Sequence, residues 1–292
     1  MSGPLRVLVT GQQGQLGRAL RDRLPPGVEW LQTGARLDIT DAEAVSAAVA
    51  GLKPQLIINA AAYTAVDGAE NDAGTAQRVN ADGPRLLAAA ARDVGARLVQ
   101  VSTDFVFDGG KGKPYLPGDA TSPLGVYGRS KLEGERHVQD LLGDNALILR
   151  TAWLYYPQGH NFVKTMLRLM REREEVRVVA DQIGTPTHAG GLADAIWLLQ
   201  AQGARGIHHW TDAGVASWYD FAQAIRELGR RQEPQASWAR LTPIRTSDYP
   251  TPAARPACSV LDKAQTWAAV GVPPHWRERL QQQFESQGLT GF

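Results

Sequence analysis

Cysteine is almost missing: Cys258 is the single thiol in 292 residues. That excludes an internal disulfide framework and a cysteine-rich metal site, and it fits a reducing compartment. Excess charge of either sign is missing too, with 31 basic against 30 acidic residues and a formal net charge of +1. Such a balance offers no basic stripe to a nucleic acid and no acidic tail. No apolar run approaches the length of a membrane span. Met1-Ser2-Gly3-Pro4 leads straight into Leu5–Thr10, which is too short for a signal core and carries no cleavage pattern. A soluble, cytoplasmic protein is expected, without nucleic-acid or membrane partners. What is present is ordinary for a globular chain, 43% apolar and 21% charged. The length suits one large α/β unit and a smaller lobe.

Through the first half, β-branched apolar runs alternate with alanine-rich stretches. Strands are expected at Arg6–Thr10, Leu56–Ala60, Arg97–Ser102 and Ala146–Arg150, with a weaker one at Val28–Gln32. Helices are expected at Leu16–Leu24, Ala42–Ala50, Gly74–Val94 and Ser130–Leu142. This order implies parallel strands joined by crossover helices, a Rossmann-type doubly wound α/β sheet. Later come Val176–Ala180 and Ile207–Thr211 as strands and Leu192–Gln200 as a helix, while proline-rich Arg230–Pro256 reads as a surface loop. Pro84 stands inside the expected helix Gly74–Val94 and frees the carbonyl of Asn80. That is either a simple kink or a place where Asn80 holds a water near the active site.

The first strand ends in Gly11-Gln12-Gln13-Gly14-Gln15-Leu16-Gly17, a GxxGxxG turn opening a helix. Its glycines permit a tight turn and close approach of a pyrophosphate, which the helix N-terminus then attracts. Alone such a turn is a weak signal, but at the head of a βαβ series it points to dinucleotide binding. Asp38-Ile39 follows the second strand, where Asp38 can accept from an adenine amino group and Ile39 can pack on the ring; Thr40 or Asp41 can simply cap the next helix. No carboxylate stands in Gln32–Arg36 to repel a 2′-phosphate, and Arg36 can pair with one. NADPH is favoured, with NADH as the other candidate.

The chemistry is expected in two short segments. Ser102-Thr103-Asp104-Phe105 closes a strand, and Tyr127-Gly128-Arg129-Ser130-Lys131 opens a helix. Tyr127 and Lys131 are four apart and share a helix face. An ammonium beside Tyr127, together with the positive ring of an oxidised nicotinamide, should lower its pKa from about 10. The phenol can then protonate a carbonyl oxygen while hydride reaches the carbon, with Thr103 offering a second hydroxyl. Lys131 can also hydrogen-bond the nicotinamide ribose, so Tyr127 and Lys131 count among the cofactor-binding residues as well. A YxxxK pattern by itself is commonly just a solvated helix face.

Together these residues resemble the extended short-chain dehydrogenase/reductases, and within them the reductases of nucleotide-linked 4-keto-6-deoxysugars. The likeness runs through Gly11–Gly17, Asn59–Asp67, Ser102–Gly109, Tyr127–Lys131, Arg150–Trp153, Asn161–Met166, Asp181–Thr187 and Ala254–Pro256. It implies reduction of the 4-keto group of dTDP-6-deoxy-L-lyxo-4-hexulose to dTDP-L-rhamnose. It implies Thr103, Tyr127 and Lys131 as the catalytic set, and Gly14-Gln15-Leu16, Asp38-Ile39 and Ala62-Tyr63-Thr64 as cofactor contacts. Thr103, Asp104 and Trp153 would meet the sugar nucleotide, and Arg255 can hold its diphosphate or be a plain surface arginine. The corresponding division is 1–151 plus roughly 176–212 as an NAD(P)-binding domain. Roughly 152–175 plus 213–292 would form a smaller C-terminal substrate-binding lobe.

Two departures matter. Phe105 stands where the family usually carries tyrosine, so one hydroxyl near the sugar is missing. Some relatives bind Mg²⁺ at a dimer interface through acids, where this chain has Ala19 and Gly191, which cannot ligate. A monomer or a weak homodimer without a metal bridge is expected. His188, His208 and His209 read as histidines of the fold rather than metal ligands. A dehydratase of the same fold would need a second carboxylate after Asp104, and Phe105 denies it. Reduction of another deoxysugar, and a non-catalytic NADP-binding regulatory subunit, remain the alternatives.

Overall fold

The structure, a computed structural model, describes residues 3–34 and 36–289. Strands β1 (Leu5–Thr10), β2 (Val28–Trp30), β3 (Leu56–Asn59), β4 (Arg97–Thr103) and β5 (Ala146–Thr151) join a late strand, β10 (Gly206–His209), in the order β10-β5-β4-β3-β1-β2. Every pairing in this sheet is parallel. Because β1 lies between β2 and β3, the strand order reverses beside it. Open α/β sheets bind ligands beyond the carboxyl ends of the strands at such a place.

Alternate side chains of a strand face opposite ways, and both faces here are apolar and covered. Val7, Val9, Ile58, Val99 and Leu149 lie under α1 (Gln15–Asp22) and α8 (Ala189–Ala201). Leu8, Ile57, Leu98 and Ile148 lie under α2 (Ala42–Leu52), α5 (Gly83–Val94) and α6 (Val126–Leu142). Each such aliphatic side chain contributes about 1.5–3 kcal/mol by leaving water. The doubly wound sheet expected from the alternating runs is the one observed.

The helix expected over 74–94 is interrupted. After α3 (Val66–Asn71) and α4 (Ala73–Gln77), the chain makes a π-turn over Arg78–Asp82 before α5 begins. Pro84 has no N–H for the carbonyl of Asn80, and the N–H of Gly83 reaches back to Arg78 instead. That freed carbonyl faces α6. Gly134 of α6 lies against it so closely that a Cβ there would be 2.1 Å from the oxygen.

The smaller lobe holds β6 (Leu154–Tyr155), α7 (Phe162–Glu172), β7 (Glu175–Val179), β8 (Ile183–Gly184), β9 (Thr187–His188), β11 (Ala216–Ser217), α9 (Trp218–Gln232) and β12 (Arg240–Ile244). Helices α10 (Ala264–Val270) and α11 (Trp276–Gln287) close the described chain. Val176, Phe221, Trp238, Trp276 and Phe284 share the lobe's core. Three expectations change here. Arg230–Pro256 is not all loop, since β12 pairs with β7 and buries Leu241 and Ile244. For the same reason β7 sits in the lobe, and only α8 and β10 of the stretch 176–212 lie on the six-stranded sheet. Helix α10, expected in the lobe, packs instead on α8 and β10. The histidines are strand-borne and buried, with His188 against Gln283 and His208 against Thr266.

Candidate active site

The glycine turn lies at the carboxyl end of β1. Gly11 has φ +69°, and a Cβ on it would lie 2.6 Å from the backbone of Ala60 and Ala61. At Gly17 a Cβ would come within 2.3 Å of the Gly11 carbonyl. The turn is therefore pressed between β3 and its own helix, and only glycine fits at these two positions. Gly14 is the N-cap of α1 and supplies no side-chain cap, so the first N–H groups point outward unspent. A bare turn over an uncapped helix fits a pyrophosphate.

Around it, Gln15 accepts a hydrogen bond from Asn161 at 3.0 Å, which ties the turn to the loop before α7. Tyr63 is held by its backbone: Asn80 accepts from its N–H at 2.9 Å and donates to its carbonyl at 3.0 Å. Ala62 and Thr64 flank it at the carboxyl end of β3. Asp38 accepts from the N–H and hydroxyl of Thr40, which holds its carboxyl below the usual range. It is exposed and ionised, ready to accept a further donor. Ile39 does not offer itself to a ring. Its side chain is buried against Gly83, where a Cβ would meet it at 2.6 Å. Asp41 caps α2, accepting from Glu43 and Ala44. Arg36 is exposed, while its neighbour Ala35 lies outside the described residues.

Beside the turn, Thr103 ends β4 and Tyr127 opens α6. Gly128 brings the two together: a Cβ on it would lie 2.2 Å from the carbonyl of Phe105, so α6 sits directly on the loop after β4. Thr103 donates to Asp104 at 3.0 Å and accepts from the N–H of Phe105. The Phe105 ring meets Tyr127 edge-on at 5.8 Å. Lys131, one turn after Tyr127, is 4% exposed and donates to the carbonyl of Val101 at 2.7 Å. That carbonyl also accepts from Gln100, whose amide in turn takes a hydrogen bond from Asn59 at 2.8 Å. Asn59 accepts from Thr10 at 2.5 Å, so a buried polar chain crosses the sheet ends from β1 to the lysine.

The electrostatics differ from expectation in one respect. Tyr127 is not made more acidic; burial pushes its phenol up to about 12, opposed by the Thr103 hydroxyl and reinforced by the Asp104 carboxylate. A half-closed site hydrates a phenolate poorly, and the Lys131 ammonium is directed at a backbone carbonyl. Tyr127 thus carries its proton throughout the neutral range. Burial brings Lys131 down to about 8, offset in part by Glu135. Burial also lifts Asp104 to about 6, against hydrogen bonds from Ser259 and Thr103.

One residue near the site, Glu135, carried no signal in the sequence. Glu135, one turn beyond Lys131, pairs with Arg150 of β5 through bonds of 2.9 and 2.6 Å, both side chains 2% exposed or less. Arg150 also donates to the Pro117 carbonyl and lies over the Phe107 ring. It therefore braces both α6 and the loop after β4. Trp153 has φ +44°, a conformation that bulky side chains rarely adopt and that collects at functional sites. Its indole stacks on Trp218 at 3.5 Å and lies on Gly184, where a Cβ would clash at 2.6 Å. Arg255 is engaged by Asp67 through bonds of 3.0 and 2.7 Å, with Thr251 and the Ala253 carbonyl on the same nitrogen. The guanidinium is already paired, and an incoming phosphate would have to share it.

Residues 5–288 match the family described as RmlD substrate binding domain. The dTDP-4-dehydrorhamnose reductase of Streptomyces griseus is 44% identical over 290 residues, which is 96% of this chain and 93% of the relative. Among solved structures, the dTDP-4-dehydrorhamnose reductase of Clostridium acetobutylicum superposes with TM-score 0.90 at 40% identity, covering 96% of this chain and 99% of that one. That of Bacillus anthracis, in complex with NADP, gives 0.89 at 37% identity over 97% and 99%.

Proposed function

The chain belongs to the dTDP-4-dehydrorhamnose reductase family, and from that premise we propose how its residues divide the work. The reaction is NADPH-dependent reduction of the C4 ketone of dTDP-6-deoxy-L-lyxo-4-hexulose to the alcohol of dTDP-L-rhamnose. The cofactor supplies hydride to the carbonyl carbon. The glycine turn and the open start of α1 hold its pyrophosphate, with Gly11, Gly14 and Gly17 leaving the room and the N–H groups of Gln15, Leu16 and Gly17 facing the charge. Ala62, Tyr63 and Thr64 line the carboxyl end of β3, and Asp38 accepts from the adenine amino group. Arg36 is the residue placed to meet a 2′-phosphate, which supports NADPH over NADH.

Tyr127 gives its proton to the ketone oxygen, forming the O–H bond as the carbon is reduced. A phenol that keeps its proton at neutral pH is the correct starting state for reduction. Thr103 donates to the same oxygen, and Lys131 turns its ammonium from the Val101 carbonyl toward the nicotinamide ribose and the phenolate that proton transfer leaves behind. Asp104 and Trp153 border the sugar, and Arg255 reaches the diphosphate from the loop it shares with Thr251. The observation that supports this reading is that α6, with Tyr127 and Lys131 one turn apart, sits directly on the loop after β4, where Thr103 ends its strand.

No helix among the described residues is long and apolar enough to cross a membrane, and we place the reaction in the cytoplasm. Ala19 and Gly191 offer no ligand, so a homodimer, where one forms, needs no metal bridge. The test is product analysis. Incubated with dTDP-4-keto-6-deoxyglucose, the matching 3,5-epimerase and NADPH, the protein should yield dTDP-L-rhamnose. A different C4 epimer would reassign it to another deoxysugar. An absence of NADPH oxidation with any 4-keto sugar nucleotide would favour the regulatory-subunit reading.

A further inference from the structure

The helix that carries Tyr127 does not cap itself. Its N-cap is Gly125, which makes no side-chain cap bond, so the first N–H groups of α6 need acceptors from elsewhere. The Glu70 carboxylate supplies one, accepting from the N–H of Val126, the residue before Tyr127, at 2.8 Å. Gly125 makes room for it, since a Cβ there would lie 2.6 Å from that same oxygen. Three residues earlier on the short helix α3, Asp67 takes both terminal nitrogens of Arg255 and the N–H of Ala253. Residues three apart on a helix lie on one face. The Ala254 carbonyl comes within 3.9 Å of the Gly125 Cβ position, so the loop held by Asp67 borders the helix start held by Glu70. Tyr63 closes the other side, its hydroxyl 2.8 Å from the Cβ position of Gly68.

We infer that Glu70 is a positioning residue of the reaction: from one turn of α3, whose Asp67 anchors the Arg255 loop, it fixes the first turn of α6 and hence the Tyr127 phenol. This rests on Tyr127 being the proton donor. Glu70 touches neither substrate nor cofactor. Its role is to hold the donor at a set distance from the loop that meets the sugar nucleotide. A misplacement of a proton donor by about 1 Å is enough to slow catalysis by up to two orders of magnitude.

The experiment compares Glu70→Ala and Glu70→Gln in turnover, NADPH affinity and hydrogen exchange at the Val126 amide. Glu70→Ala should lower kcat about tenfold or more while leaving NADPH affinity unchanged. Glu70→Gln keeps an acceptor and should return kcat to within about threefold of the parent. The Val126 amide should exchange faster in the alanine variant alone. Should Glu70→Ala fail to fold, Glu70→Asp, one methylene too short, takes its place. Parental kcat in the alanine variant, or equal losses in both variants, would overturn the inference. If the parent itself turns over no sugar nucleotide, the assigned reaction fails instead, and unchanged Val126 exchange would sink the positioning role independently.

Discussion

The two halves of the active site are made from different materials. The half proposed for the cofactor is backbone: a glycine turn from strand to helix, an uncapped helix start, and glycines at Gly11 and Gly17 where any side chain would strike main-chain atoms. The half proposed for the substrate is side chains brought from far apart, Trp153 on Trp218 and Arg255 on Asp67. Between them stands α6, with Tyr127 and Lys131, held by glycine contacts to the loop after β4 and to the π-turn before α5, and by the Glu135–Arg150 pair. A binding site for a constant ligand can be written into chain geometry. One for a variable sugar needs parts that can be exchanged without moving the backbone.

The contrast can be broken from several sides. The largest effect is expected where the halves join. Glu135→Gln leaves the Arg150 guanidinium buried without its counter-charge, and breaking such a pair costs about 3–5 kcal/mol. Chemical denaturation should show that loss, together with reduced turnover. Next comes Gly17→Ala, whose methyl group meets the Gly11 carbonyl at 2.3 Å. Overpacking of this kind costs about 1–3 kcal/mol, and cofactor fluorescence titration should report it as weakened NADPH binding, with KM for the sugar nucleotide little changed in saturating cofactor.

Trp218→Ala should do the reverse. It removes the surface on which Trp153 stacks, so KM for the sugar nucleotide should rise about tenfold, the scale of one lost aromatic pair, and NADPH affinity should stay put. The smallest effect is the alkaline limb of the pH profile. The folded-state pKa of Lys131 is depressed, so its ammonium is present below about 8 and is lost as pH rises through that value. Activity measured as kcat/KM should decline there. In Glu135→Gln the limb should move to lower pH, because Glu135 is the group that favours the charged lysine.

This division also explains what could be read from the chain. The glycine turn, the strand-end Thr103 and the Tyr127–Lys131 spacing are local patterns, and local geometry follows from local sequence. The doubly wound sheet followed from its alternating runs for the same reason. The lobe was harder. Arg230–Pro256 looked like loop because β12 is an amphipathic strand with Pro243 inside it, and its partner β7 lies far back in the chain. Ile39 was expected against a ring but fills space over Gly83, a contact set by how α5 crosses α2. The fate of Asn80 depended on Gly134, fifty-four residues later. Helical spacing places Lys131 on the right face without saying where its ammonium points; Val101 takes it, and burial raises the Tyr127 phenol. Residues such as Glu70 and Glu135 gave no motif because their partners are brought in by the fold.

The account stands or falls on the Tyr127 proton. The direct measurement is single-turnover oxidation of bound NADPH by the 4-keto sugar nucleotide in the parent and in Tyr127→Phe, with cofactor affinity determined for each. Loss of a positioned general acid should slow hydride transfer about 10²–10⁴-fold at unchanged NADPH affinity. An equal rate in the two proteins would contradict it.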